Sequence, residues 1–166
     1  MYRAGVFAEA HNLGIVLSYV GVMLSIHDIV VPDLVFYTHE QWSSQHNDEY
    51  CEGSPAMIGE VMSEVTRRRD LVRKRALYAR SGIAEYWLLD PDLKSVAIEE
   101  LVDGGYRPRA KKNGRVTSRV LDGFVLDADE VFRQLRKLEA IWTEQERKVA
   151  KRATSAKKEA ASAERP

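Results

Sequence analysis

The sequence has little cysteine, no long apolar run and no net charge. Cys51 is the single cysteine among 166 residues, so neither an internal disulfide nor a cysteine-ligated zinc site can form. No apolar run approaches the ~20 residues of a membrane-spanning helix. The first residues do not combine a basic start, an apolar core and a cleavage site, as a secretory signal would. We therefore expect a soluble, cytoplasmic protein that does not enter a membrane.

The absence of net charge conceals two basic segments. Lysine and arginine together number 25, as do aspartate and glutamate. Residues 66–80 nevertheless carry seven bases and one acid, and residues 133–166 carry ten bases and five acids. The rest of the chain is accordingly acidic. Overall charge thus neither favours nor excludes a polyanionic partner, whereas the local clusters can meet phosphates.

Runs of β-branched and aromatic residues predict the strands. The runs cover residues 29–37, 55–62, 84–90 and 95–101, with an earlier strand region over 16–26 and a short later strand within 115–126. Pro32 interrupts the 29–37 run and argues for an edge or a bulge there, because proline cannot donate to a ladder. The polar residues 38–56 predict a loop.

Two helices are predicted. Ser63 or Thr66 can cap a helix over about residues 67–80, and Gly82 stands where a left-handed C-cap belongs. A second helix is predicted to begin at Asp129.

The order of strands and helices predicts one α/β domain with a mixed sheet. A chain of this length suits one ordinary domain. We expect it to cover residues 15–150, including the C-terminal helix. Residues 1–14 show no clear pattern, and residues 151–166 form a charged tail without an apolar face, predicted to be disordered.

Two acids stand in apolar surroundings, Asp33 among Val, Leu and Phe, and Glu60 in the next predicted strand. If these strands pair, both carboxylates can reach one face at one end of the sheet. Close carboxylates repel unless a cation lies between them. Mg²⁺ prefers such oxygens and keeps several waters, and the carbonyl of Val61 can add another oxygen. We therefore predict a Mg²⁺ site, with Mn²⁺ as a substitute; strand-edge acids are the alternative.

The helix after Glu60 supplies a candidate cation. Asp70, Lys74 and Tyr78 are spaced at i, i+4 and i+8 and share one helix face. Lys74 can hold an attacking water or balance negative charge in a transition state, with Asp70 fixing the ammonium and Tyr78 aiming its hydroxyl inward. The alternative is an ordinary solvated ion pair and a tyrosine in the core. The four histidines show no metal-ligand spacing.

A basic cluster opens the same helix and predicts contacts with nucleic-acid phosphates. Its members are Arg67, Arg68, Arg69, Arg73 and Arg75. A solvated helix start is the alternative, but bases are unfavourable there for the helix dipole, which favours the functional interpretation. We therefore expect DNA as the partner.

Several motifs in this order resemble the Uma-two family of restriction-endonuclease-like proteins in the PD-(D/E)XK nuclease superfamily. They are Pro32-Asp33-Leu-Val-Phe, Glu60-Val-Met-Ser, Asp70-x-x-x-Lys74-x-x-x-Tyr78, Gly82-x-x-Glu85-Tyr86-Trp87 and Asp90-Pro91. The resemblance covers about residues 14–130. It implies a restriction-endonuclease-like core, a central mixed β-sheet flanked by helices, with Asp33 and Glu60 as metal ligands.

The sequence departs from the superfamily pattern in two places. The lysine that normally follows the glutamate by two residues is replaced by Met62, so the role is expected to move to Lys74. The long helix that usually precedes the first hairpin is expected to be missing, because the chain starts too late to contain it.

Two functions remain open at this stage. The first is a Mg²⁺-dependent endonuclease that hydrolyses DNA phosphodiester bonds, with Lys74 positioning the attacking water. The second is an inactive nuclease-fold protein acting in nucleic-acid binding or assembly. An apolar stripe in the last helix either docks on the domain, the commoner case, or pairs two subunits as a homodimer; it comprises Val131, Leu135, Leu138, Ile141 and Trp142.

Overall fold

The computed structural model describes residues 2–45, 51–133, 136 and 143. It contains two units, Met1–Ala128 and Asp129–Pro166. In the second unit, residues 129–133 are helical, as predicted from Asp129 onward. Apart from Val131, the predicted apolar stripe lies outside the described residues, as does the tail 151–166. No described helix is long and apolar enough to cross a membrane.

All named elements belong to the first unit. In chain order they are α1 (Tyr2–Ala10), β1 (Gly14–Leu17), β2 (Val22–Ser25), β3 (Asp28–Val30), β4 (Leu34–Thr38), α2 (His39–Gln45), β5 (Cys51–Glu52), β6 (Met57–Val61), a π-helix (Arg69–Lys74), α3 (Arg75–Arg80), β7 (Glu85–Asp90), β8 (Ser95–Val102), β9 (Gly105–Pro108), β10 (Arg115–Thr117) and β11 (Val125–Asp127).

The central sheet has six strands in the order β1-β4-β6-β7-β8-β9. Strands β6 and β7 are parallel, and the other neighbours are antiparallel. A parallel pair needs a crossover connection, which the π-helix and α3 supply. The predicted α/β class with a mixed sheet flanked by helices is therefore confirmed. Strands β3-β2-β5 form a second, smaller sheet, and β10 pairs with β11.

Pro32 divides the predicted strand 29–37 into two. Strand β3 ends at Val30 in the small sheet, and β4 begins at Leu34 in the central sheet. The prediction of one continuous strand, with Asp33 inside it, was wrong, because proline has no N–H for a ladder. Asp33 lies in a bend directly before β4.

The predicted loop 38–56 contains the helix α2 and the short strand β5. Helix α2 begins with a capping box. Its backbone N–H at Gln41 donates to Thr38 Oγ1 at 3.2 Å, and the Thr38 N–H donates to Gln41 Oε1 at 3.0 Å. A threonine followed three residues later by glutamine is a helix-start signal that the polar composition masked.

Residues 2–10 form α1, although the sequence predicted no element there. Its buried positions are Ala4 and Ala8, one turn apart, so the core-facing stripe carries only methyl groups and gives a weak periodic signal. Asn12 ends the segment with a left-handed φ of 53°. This nine-residue helix stands directly before the first strand, where the family resemblance places a longer one.

The two faces of the sheet bury different clusters. Tyr78 of α3 packs on the face formed by Val35, Tyr37, Ile58, Tyr86 and Leu88. On the other face the Trp87 and Phe124 rings stack at 5.5 Å, and Phe124 meets Phe7 of α1 at 5.3 Å. Trp87 is therefore a core residue.

Glu85 is a buried acid on the Trp87 face. Its Oε2 accepts hydrogen bonds from Trp87 Nε1 at 2.9 Å and Ser118 Oγ at 2.6 Å, and its Oε1 accepts the Arg119 N–H at 2.7 Å. The carboxylate therefore ties the 118–121 turn to β7.

Replacement Glu85→Gln should lower the free energy of unfolding by about 1.5–3 kcal/mol, since an amide nitrogen must then face one of these donors. Urea unfolding of the variant measures the loss. Glu100→Gln is the matched control, a half-buried glutamate paired with Arg109 and Arg119, and should cost less than about 1 kcal/mol. Equal losses of unfolding free energy at the two positions would contradict the role of Glu85 in holding the 118–121 turn on β7.

Candidate active site

Glu60 lies at the end of β6 and is only 3% exposed. Two donors reach the same carboxylate oxygen. Tyr78 donates its hydroxyl to Oε1 at 2.7 Å, and Lys74 Nζ lies 2.8 Å from Oε1. Both donors therefore converge on one oxygen of the carboxylate.

Burial governs the ionisation of this cluster. It raises the pKa of Glu60 above its ordinary 4.5, although the bonds from Lys74 and Tyr78 act in the opposite direction. Burial, together with the Glu60 charge, also raises the pKa of Tyr78 far above its ordinary value. Tyr78 is therefore a fixed hydrogen-bond donor that orients the glutamate, and it does not titrate near neutral pH.

Lys74 bridges two buried acids. Besides Glu60, its Nζ lies 3.2 Å from Asp70 Oδ1, and Asp70 is buried. Asp70 and Lys74 lie about one helical turn apart. The sequence predicted an α-helix here, but residues 69–74 form a π-helix. The three residues predicted to share a face, Asp70, Lys74 and Tyr78, are thus brought together on Glu60.

Sequence reasoning missed the π-helix and the residue that supports it. The Asp70 carbonyl accepts the Arg75 N–H, and it also accepts the Tyr86 hydroxyl at 3.2 Å. Tyr86 is buried on β7, below the cluster. Single π turns recur at functional sites, yet their hydrogen-bond register has no periodic sequence signal. In the sequence, only the motif Gly82-x-x-Glu85-Tyr86-Trp87 drew attention to Tyr86.

Asp33 approaches the cluster from the neighbouring strand. Its Oδ2 accepts the Val61 N–H at 2.7 Å. The β4–β6 register pairs Leu34 with Gly59. Continued by one residue, it sets Asp33 opposite Glu60. Asp33, in the bend before β4, therefore contacts the residue next to Glu60.

The contacts of Pro32 explain why the Asp33 side chain can accept the Val61 N–H. The same register sets Pro32 opposite Val61, but the Pro32 carbonyl, which a ladder would use as the acceptor for Val61, accepts the Tyr19 N–H at 3.2 Å instead. The Asp33 carboxylate takes over as acceptor for Val61. Since the N–H and C=O of a strand residue point to the same side, the Val61 carbonyl is expected to face this edge as well.

Met62 occupies the position two residues after Glu60 and is buried in the core. It offers no cation. The ammonium that contacts Glu60 belongs instead to Lys74 on the following helix. Lys74 is the residue predicted from the sequence to replace the missing lysine.

The basic cluster is divided by its contacts. Arg67 forms a two-pronged ion pair with Asp90 and reaches Asp92 at 3.2 Å. Arg75 donates to Glu99 and to the Tyr106 carbonyl, both at 2.6 Å. Arg68 and Arg73 are exposed, and the Arg69 side chain lies outside the described part. Two of the five predicted phosphate-binding residues therefore have carboxylate partners within the chain.

Asp90 should make stability depend on pH in the acid range. Its bond with Arg67 holds its pKa below the ordinary 3.8, so its contribution is complete above 3.8 and disappears as the pH falls through the lower native value. Asp90→Asn should therefore be less stable than the parent near neutral pH, with a gap that narrows below 3.8. Urea midpoints across this range measure the gap.

Asp92→Asn is the control for this pH series. Asp92 also contacts Arg67, but its side chain is exposed, so this variant should follow the parent closely. A stability difference between the parent and Asp90→Asn that stays constant as the pH falls would contradict the stabilising role of the ionised Asp90 carboxylate.

The donors at this edge suit a hard divalent ion. They are the carboxylates of Asp33 and Glu60 and the carbonyl of Val61, and Mg²⁺ usually completes such a set with water. Within residues 2–45 and 51–133, no three or more His, Cys, Asp or Glu side chains form a closed metal cluster. Any ion here would therefore depend on few protein ligands.

Comparisons with known proteins identify the family and the fold. The sequence model of Uma2, a family described as "Putative restriction endonuclease", matches residues 3–129. A crystal structure of a putative nuclease belonging to DUF820 from Anabaena variabilis has the same fold, with a TM-score of 0.63 and 12% identity over 78% of this chain and 74% of that chain. No curated protein sequence matches the chain.

Proposed function

The chain belongs to the Uma2 family of putative restriction endonucleases, and on that premise we propose that it is a Mg²⁺-dependent endonuclease that hydrolyses DNA phosphodiester bonds. The observation that carries the proposal is the arrangement around Glu60. Both of its donors engage Oε1, while Asp33 accepts the N–H of Val61, the residue next to Glu60.

Asp33, Glu60 and the Val61 carbonyl are the groups that would hold the ion. A divalent ion bound there polarises a phosphoryl oxygen and lowers the pKa of a bound water. The fit rests on donor chemistry, three hard oxygens on two neighbouring strands. Tyr78 contributes by fixing Glu60 through Oε1, so Oε2 is presented without a competing bond from that hydroxyl.

Lys74 would position the attacking water or balance charge on the phosphoryl group. Its ammonium is held at 2.8 Å from Glu60 and 3.2 Å from Asp70, and the side chain is not fully buried. A preorganised cation is most effective when it does not need to move during the reaction. Asp70 is therefore proposed as the residue that positions Lys74.

Arg68 and Arg73 are the cations best placed to meet the DNA backbone. Both are exposed on the helical segment that carries Lys74. Arg67 and Arg75, by contrast, are engaged by acids within the chain. Binding through the exposed pair would be independent of sequence and would weaken as salt rises.

Cleavage of supercoiled plasmid in Mg²⁺ or Mn²⁺ tests the proposal. Asp33→Asn and Glu60→Gln keep the shape and an acceptor oxygen but remove the charge, so both should abolish cleavage in protein that circular dichroism shows to be folded at the assay temperature. Lys74→Ala should lower the rate by about 10²–10³-fold, the usual cost of removing one preorganised donor of this kind. EDTA should stop cleavage by the parent protein.

Lys112→Ala is the matched control for Lys74→Ala. It removes the same charge from an exposed position before β10 and should leave the rate unchanged. A folded parent that binds DNA but does not cleave it with either ion would contradict the nuclease proposal and favour the inactive binding protein. Cleavage that survives Glu60→Gln would contradict the assigned site.

A further inference from the structure

Tyr19 is an exposed aromatic residue in a left-handed backbone conformation, beside the segment that leads to Asp33. Its φ is 55°, and the residue is 64% exposed. Its backbone N–H donates to the Pro32 carbonyl at 3.2 Å. The tyrosine is thereby anchored to the residue that directly precedes the candidate catalytic Asp33.

Stability does not account for a tyrosine here. A left-handed conformation is strained for a bulky residue, whereas glycine and asparagine adopt it readily. The other described non-glycine residues with positive φ are small or polar turn residues, namely Asn12, Lys94, Asp103 and Asn113. The Tyr19 ring also recovers little by burial, because most of it faces solvent. Strain without burial points to a use for the exposed ring.

The surroundings of Asp33 are apolar on this side. Val31, two residues before Asp33, is 60% exposed, and Val61, whose N–H binds Asp33, is 37% exposed. The exposed Arg68 and Arg73 belong instead to the helical segment with Lys74. The exposed cations and the exposed apolar residues near Asp33 thus belong to different segments of the chain. Phosphates suit only the first, whereas the faces of nucleobases suit the second.

We propose that Tyr19 stacks on an unpaired base next to the scissile phosphate, so that the substrate is DNA with single-stranded character at the cut. This inference rests on the proposed nuclease function. A base inside a duplex is covered by its neighbours, so a protein ring reaches its face most readily when the base is unpaired or flipped out. Stacking on aromatic rings is tolerant of sequence, since every base has a π face.

Binding measured in EDTA tests the inference without cleavage. Fluorescence anisotropy would compare a labelled single-stranded oligonucleotide with the blunt duplex of the same sequence. Tyr19→Ala should raise the Kd for the single strand by about 5- to 150-fold, the usual range for loss of one stacked base, and should leave the duplex Kd unchanged. Tyr19→Phe keeps the ring and should bind like the parent.

Two further variants separate stacking from folding. Tyr2→Ala removes the other exposed tyrosine of the described residues, at 84% exposure on α1, and should not change either Kd. Tyr19→Gly relieves the backbone strain, so its melting temperature should equal or exceed that of the parent while its single-strand affinity falls as in Tyr19→Ala. Equal Kd values for Tyr19→Ala and Tyr2→Ala, or a loss in Tyr19→Phe, would overturn the stacking role.

Cleavage of the same two oligonucleotides with Mg²⁺ distinguishes this inference from the proposed function. A parent that cleaves the single strand faster than the duplex, with the preference lost in Tyr19→Ala, supports both. A parent that cleaves both equally, with Tyr19→Ala unchanged, overturns the stacking role alone. A parent that neither binds nor cleaves either oligonucleotide overturns the nuclease proposal and this inference with it.

Discussion

The buried carboxylate of Glu60 is the group on which the candidate site depends. An acid that is 3% exposed is stable only if its charge is compensated, and here a lysine and a tyrosine hydroxyl supply the compensation. Both donors come from one helical segment, so that segment must cross the sheet where β6 ends. The compensation is one-sided, since both donors use Oε1. The interactions that stabilise the fold therefore also orient the proposed metal ligand.

A missing hydrogen bond organises the other half of the site. Pro32 has no N–H for the β4 ladder and its carbonyl accepts from Tyr19, so β3 and β4 separate into two sheets and the Val61 N–H donates to the Asp33 side chain. The same break is expected to leave the Val61 carbonyl facing the Asp33 edge. One proline thus accounts for the position of Asp33, for the proposed carbonyl ligand and for the location of the exposed ring.

Sequence patterns predicted the features that depend on apolar periodicity and on caps. The mixed sheet, the Gly82 cap with its φ of 75° and the helix after Ser63 follow from such local rules. Helix α1 was missed because its buried stripe is alanine, and the π-helix because its register leaves no periodic trace. The ion pairs of Arg67 and Arg75 could not be foreseen, since their partners lie 23 or more residues away. Proximity along the chain suggested a basic patch, and tertiary contacts divided it.

The most direct measurement is anomalous diffraction from crystals of the protein soaked in Mn²⁺, beside crystals of Glu60→Gln. The account predicts one peak within coordination distance of Glu60 Oε2, an Asp33 oxygen and the Val61 carbonyl, with Lys74 and Tyr78 still on Oε1. The peak should be absent from Glu60→Gln. An ion bound elsewhere, or no ion at this edge in a folded protein at saturating Mn²⁺, would contradict it.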